Sequence, residues 1–109
     1  MRVTNATRPT FETLTLAHGS HDSPTDGLCV MEAVAYFRGI EHTDHPACVS
    51  PAIGAFLRTW NDNLADEPRQ LLKPYVFKVV GTATTPADEE RRAWLATDWL
   101  VRIFTPAWL

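Results

Sequence analysis

The run from Ser50 to Leu64 constrains this chain most. Its apolar residues Ile53, Phe56, Leu57, Trp60 and Leu64 fall at i, i+3, i+4, i+7 and i+11, the period of a helix with one buried face. Two local signals mark its start. The Ser50 hydroxyl accepts from a free backbone amide, and Pro51 at the first helical position sacrifices no hydrogen bond. Gly54 weakens the helix by up to ~1 kcal/mol relative to alanine and marks close approach of a neighbouring helix. An amphipathic helix needs other apolar faces to cover it. A chain of 109 residues, 45% of them hydrophobic, supplies enough for one core but not two.

Those other faces also read as helices. Asp26 is read as the N-cap of a first helix in which Leu28, Met31, Val34 and Ala35, with Val30 and Phe37 beside them, form a wide apolar face that ends at Gly39. Ile40 to Val49 is a loop, because Thr43, Asp44 and Pro46 break any period. Asp66 is read as the cap of a third helix through Leu71 and Leu72, which Pro74 breaks or kinks. Tyr75, Val76, Val79 and Val80 return to helical spacing before Gly81. An edge strand over 75–80 is the rival reading, set aside for want of a partner strand. Thr85-Pro86 opens the last helix, with Asp88, Glu89 and Glu90 at the positive end of its dipole. Ala93, Ala96, Leu100 and Ile103 form its expected inner stripe, widened by Trp99 and Phe104, and Pro106 ends it. Trp94, Trp99 and Trp108 are expected to fill the core, with a partner surface as the alternative and Trp108-Leu109 the exposed pair.

The N-terminal part is different in character. Residues 1–10 are polar and without period, and are read as a flexible terminus. In residues 11–17, Leu14 and Leu16 alternate with Thr13 and Thr15, the pattern of a short extended segment lying across the helices. A turn-rich loop, His18 to Gly27, follows. The expected fold is therefore all-α: a compact bundle of four or five short helices over residues 11–109, with an irregular or extended N-terminal segment.

Charge and composition narrow the function. The formal net charge is -3 and the ten Lys and Arg are scattered, so the basic footprint of a nucleic-acid-binding surface is missing. No apolar stretch approaches the ~20 residues that span a bilayer, and no basic-then-apolar leader opens the chain, so it is read as cytoplasmic. In a reducing compartment Cys29 and Cys48 are free thiols or metal ligands, with a Cys29–Cys48 bridge as the remaining alternative.

Chemistry concentrates in residues 18–48. Cys29, His42, His45 and Cys48 are spaced Cys-x12-His-x2-His-x2-Cys, four donors of the types that close a tetrahedral zinc site. The first helix rises ~15 Å over ten residues and the following nine-residue loop reaches ~30 Å, so the loop is long enough to return to Cys29. The competing account has buried cysteines and histidines hydrogen-bonded to Asp44 or to backbone. A second constellation makes Cys29 a nucleophile, its thiolate favoured by the helix N-terminus and a histidine such as His21 or His45 acting as base. His18, His21 and Asp22 form a third, weaker cluster for an anion or metal.

Leu28-Cys-Val-Met-Glu-Ala-Val-Ala-Tyr, His42-Thr-Asp-His-Pro-Ala-Cys-Val-Ser-Pro, Trp60-Asn-Asp, Leu72-Lys-Pro-Tyr and Val80-Gly-Thr resemble a group of short proteins of unknown function from actinobacteria and their phages. The likeness spans residues 18–109. It implies a small stand-alone protein, phage-encoded in some members, and carries over no activity, cofactor or site residue. By analogy with small phage proteins it raises the expectation of binding to a host protein. The leading expectation is thus a small noncatalytic protein that acts through protein-protein contacts, with a structural zinc site or polar cluster at residues 18–48. A cysteine-dependent hydrolase is the alternative.

Overall fold

The first helix, α1 (Val30–Arg38), sits at the centre because its first two turns are apolar nearly all round. Val30, Met31, Ala33, Val34 and Ala35 are all buried, as expected for a helix enclosed on every side rather than laid on a surface. The computed structural model describes residues 9–104 and is all-helical over them. The expectations for residues 1–8, Pro106, Trp108 and Leu109 lie outside that range. After α1 come α2 (Pro51–Asn63), α3 (Asp66–Arg69), a 3-10 turn (Gln70–Leu72), α4 (Tyr75–Lys78) and α5 (Pro86–Trp99), which runs on into a π-helical turn (Leu100–Phe104).

α2 and α4 pack on α1, and α5 packs on α2. The expected Ser50 cap is present: its hydroxyl accepts from the Ile53 amide. The inward face of α2 is narrower than its apolar pattern. Gly54, Leu57 and Asn61 are buried, while Phe56 and Trp60 lie on the outer side. Gly54 faces α1, but a Cβ there would stand 3.6 Å from Met31 Sδ, an ordinary contact distance, so the helices do not approach closely enough to require glycine. Residues 75–80 are helical at their start, with Val76 and Val79 buried. At the end of α1, Gly39 adopts φ 75° and its amide bonds back to Ala35 and Tyr36 carbonyls, a left-handed cap that glycine takes without steric cost.

Two expected caps are corrected. Asp26 does not cap α1. It ends a separate 3-10 turn (Pro24–Asp26), and the N-cap is Cys29. Asp66 is the first residue of α3 rather than its cap, and its carboxylate instead takes the guanidinium of Arg69 at 2.6 Å. Buried Arg69 also donates to the carbonyls of Asn61 (2.5 Å) and Leu64 (2.6 Å). It thereby satisfies acceptors that the end of α2 leaves open.

The extended segment lies in the core without belonging to a sheet. Leu14 and Leu16 are buried and Thr13 and Thr15 exposed, as the alternation predicts. In place of a partner strand, its backbone groups are met by side-chain amides and by one backbone bond, from the Ala17 amide to the Leu28 carbonyl (2.9 Å). Gln70 accepts from the Leu16 amide (2.7 Å) and donates to its carbonyl (3.0 Å), and Asn61 donates to the Ala17 carbonyl (2.9 Å). Phe11 packs on Phe37 and Phe77, with ring centroids 6.3 and 5.1 Å away.

α5 departs most from expectation. No residue of it is buried, and every residue from 93 to 103 is exposed. Ala93, Ala96, Leu100 and Ile103 therefore do not form a buried stripe, and Trp94 and Trp99 do not fill the core. The helix is fastened by its first turns. Glu89 accepts from the Ser50 hydroxyl (2.8 Å) and the Ala52 amide (2.5 Å), placing a carboxylate on the open N-terminus of α2. Arg92 ties the same turn to the Thr82 carbonyl at 2.7 Å.

Candidate functional site

Cys29 and Glu32 form a capping box at the start of α1: the Glu32 amide reaches Cys29 Sγ at 3.4 Å, and the Cys29 amide donates to Glu32 Oε1 at 2.9 Å. A thiol here takes the place usually held by a serine or threonine hydroxyl. The box draws the Glu32 carboxylate into the core, where it is 1% exposed. A buried charge persists only when its lone pairs are met. The loop before α1 supplies the donors: the His21 amide gives 2.6 Å to Oε2 and His21 Nδ1 gives 2.8 Å to Oε1. His42 Nε2 stands 3.3 Å from Oε2 and 2.6 Å from the His21 carbonyl.

Proton positions follow from the acceptors. A carboxylate and a carbonyl only accept, so His21 carries its proton on Nδ1 and His42 on Nε2. His42 Nδ1 is then buried without a partner. Gly27 lies against the His21 ring: a Cβ at that position would come within 3.0 Å of Nε2, and its φ of 130° already disfavours a side chain. Burial pushes the Glu32 carboxyl up, but the amides of Cys29 and His21 and the His21 imidazole outweigh it and hold the group below the ordinary range. Burial first, with the neighbouring Glu32 charge adding to it, pushes the Cys29 thiol up to about 12.

The expected donors for zinc go to separate partners. Cys29 Sγ faces the Glu32 amide, His42 is spent on Glu32 and the His21 carbonyl, and exposed His45 bonds Asp44 at 2.6 Å. Cys48 is half-buried, and its carbonyl receives the amides of Gly81 (3.0 Å) and Ala83 (3.3 Å). Both thiols are free. Among the described residues no group of three or more His, Cys, Asp or Glu is arranged to hold a metal ion. The residues of the nucleophile reading are engaged as follows. Cys29 is buried with its thiol pushed up to about 12, and the Nδ1 atoms of His21 and His45, its expected bases, are held by the carboxylates of Glu32 and Asp44. His18 and Asp22 do not join this cluster. Instead the Gly19 amide beside His18 donates to Asp62 at 2.8 Å.

What the structure does bring together is a polar knot of Cys29, Glu32, His21 and His42 that pins the 18–27 loop and the 40–49 loop to the head of α1. Its sequence signal was Glu32 three residues after a small residue able to cap, a spacing hidden by reading Asp26 as the cap.

A second candidate lies where α5 meets α2. Phe56 and Trp60 of α2 stack at 4.8 Å, and Trp99 meets Phe56 at 6.4 Å. These rings, with Ala55 and Leu100, line a groove of about 470 Å³. On the outer side of α5, Arg91, Trp94, Leu95 and Asp98 line a shallow depression of about 420 Å³. Trp94 is 67% and Leu95 69% exposed. Among the described residues no helix is long and apolar enough to cross a membrane. No protein-family model, curated protein or solved structure matches this chain.

Proposed function

We propose that this is a noncatalytic protein acting through protein-protein contacts, and that the outer face of α5 makes them. The observation that carries this reading is the exposure of Trp94 and Leu95 side by side on a helix already fastened to α2 by its other side. A large indole and an isobutyl group held in water forgo the ~1.5–3 kcal/mol that burying an apolar side chain of that size returns. Adjacent exposed apolar groups with a polar rim are the composition of a contact centre, in which tryptophan carries a disproportionate share of binding energy. Arg91 and Asp98 supply that rim. The Glu32 knot has a structural role in this reading, holding the loops that complete the core beneath α2.

The test is site-specific photocrosslinking in cells producing the protein, with a photoreactive phenylalanine analogue replacing Trp94 and, as control, exposed Glu67. A discrete covalent adduct from position 94 and none from 67 is the expected result. Equal labelling at both positions, or none at 94, would overturn the proposal.

A further inference from the structure

We infer that the occupant of the α5 face is a second copy of this chain, joined through antiparallel pairing of the two α5 helices about a twofold axis beside Trp94 and Leu95. This rests on the reading of α5 as a contact face and adds the identity of the partner. The observation is an order of charge. Along the outer side of the helix run Asp88, Arg91, Asp98 and Arg102, with signs minus, plus, minus, plus. Rotated by 180° about a point between residues 94 and 95, that series meets its own complement. Arg91 falls opposite Asp98 of the other copy and Asp98 opposite Arg91, while Asp88 and Arg102 meet within one residue of register. A parallel, in-register pairing would instead set every charge against itself. Self-complementarity of one patch is what a closed twofold dimer requires, and charge order of this kind selects orientation and register.

The centre of the same patch is apolar. At this register Trp94 faces Leu95 of the other copy, and the pair of contacts repeats across the axis. Arg91 and Asp98 are exposed, their side chains 73% and 56% so. Within the chain they bond Asp88 and Arg102 respectively. Exposed pairs one turn apart on a helix contribute little and exchange readily, so Arg91, Asp98 and Arg102 are available to pair across two copies, with Asp88, 30% exposed and also bonded by the Thr84 hydroxyl, as a fixed outer charge.

The test uses sedimentation equilibrium of the full chain, with Arg91→Asp and Asp98→Arg as variants. Both substitutions are at exposed positions, and both agree with the helix dipole, an acid nearer the N-terminus and a base nearer the C-terminus. Circular dichroism should therefore be unchanged. The wild type is expected to self-associate. Each variant alone sets like charges opposite each other twice and should associate about tenfold more weakly or worse. An equimolar mixture of the two restores both opposite-charge contacts and should give a one-to-one heterodimer, while the double variant Arg91→Asp/Asp98→Arg should recover self-association.

A wild type that stays monomeric, or a mixture no tighter than its components, would overturn the pairing. The crosslinking experiment separates the two levels. An adduct at position 94 with twice the chain's mass supports the second copy. An adduct with a different protein ends the self-pairing while leaving α5 a contact face. No adduct at all ends both.

Discussion

Replacing Glu32 by glutamine tests the polar knot, because it keeps the shape of the side chain and removes only its charge and half of its acceptors. The carboxylate accepts from the Cys29 amide (2.9 Å), the His21 imidazole (2.8 Å) and the His21 amide (2.6 Å). Hydrogen bonds to a charged partner contribute ~1.5–3 kcal/mol each, against ~1 for neutral ones. The amide oxygen of glutamine can keep the two donors now on Oε1, at a loss of ~1 kcal/mol apiece. Its NH2 group then confronts the His21 amide, leaving a buried donor unmet at ~1–3 kcal/mol. Relief of the desolvated charge returns part of this, so the net loss is about 3 kcal/mol. With a urea slope of ~1.5 kcal/mol/M, the unfolding midpoint of Glu32→Gln should fall by about 2 M.

The pH dependence supplies the sign. The folded-state pKa of Glu32 is depressed, so its stabilisation is present above the unfolded value near 4.5 and is lost as pH falls through the folded one. The stability gap between wild type and variant should be steady above that point and close as the solution is acidified below it. A midpoint shift under ~0.5 M at neutral pH, or a gap that stays open in acid, would refute the account of Glu32 as the anchor.

Other parts of the molecule give independent checks. In a Cys48→Ser background Cys29 should react with an aromatic disulfide at least about a hundredfold more slowly in the folded protein than in urea, since it is buried and its thiol lies near 12. Equal rates would show that thiol to be accessible. Asn61→Ala removes the acceptor of the Val30 amide (2.9 Å) and the donor to the Ala17 carbonyl (2.9 Å) from a fully buried site. It should cost about 2–4 kcal/mol in chemical denaturation, and a loss below ~1 kcal/mol would contradict the role given to it. Two glycines should respond with opposite signs in thermal unfolding. Gly39→Ala strains a left-handed cap and costs about 1 kcal/mol. Gly54→Ala gains up to ~1 kcal/mol of helix propensity while pressing only on the flexible end of Arg58, 3.1 Å away.

Features decided within a few residues were legible in the sequence. The hydroxyl caps with a following proline at Ser50-Pro51 and Thr85-Pro86, the glycine stop at Gly39 and the helical state of α2 all depend on neighbours one turn away, and the structure has each of them. Features decided by distant groups were not. Nothing in the spacing of Asn61, Arg69 or Gln70 says that their side chains bond backbone far along the chain or at a helix end. The error over Asp26 was one of competition, since aspartate is the stronger cap in general but its own segment closes into a 3-10 turn. The error over α5 has another root. An apolar period shows that a face is suited to burial, yet it does not say whether this chain contains the surface that buries it.

The latch at Glu89 has a consequence for how such a protein changes over generations. Because α5 is held at its beginning and has no fully buried residue beyond 92, substitutions on its solvent-facing side, away from the contact of Trp99 with Phe56, should cost the fold itself little. What that stretch recognises can therefore be altered without unfolding the domain that carries it.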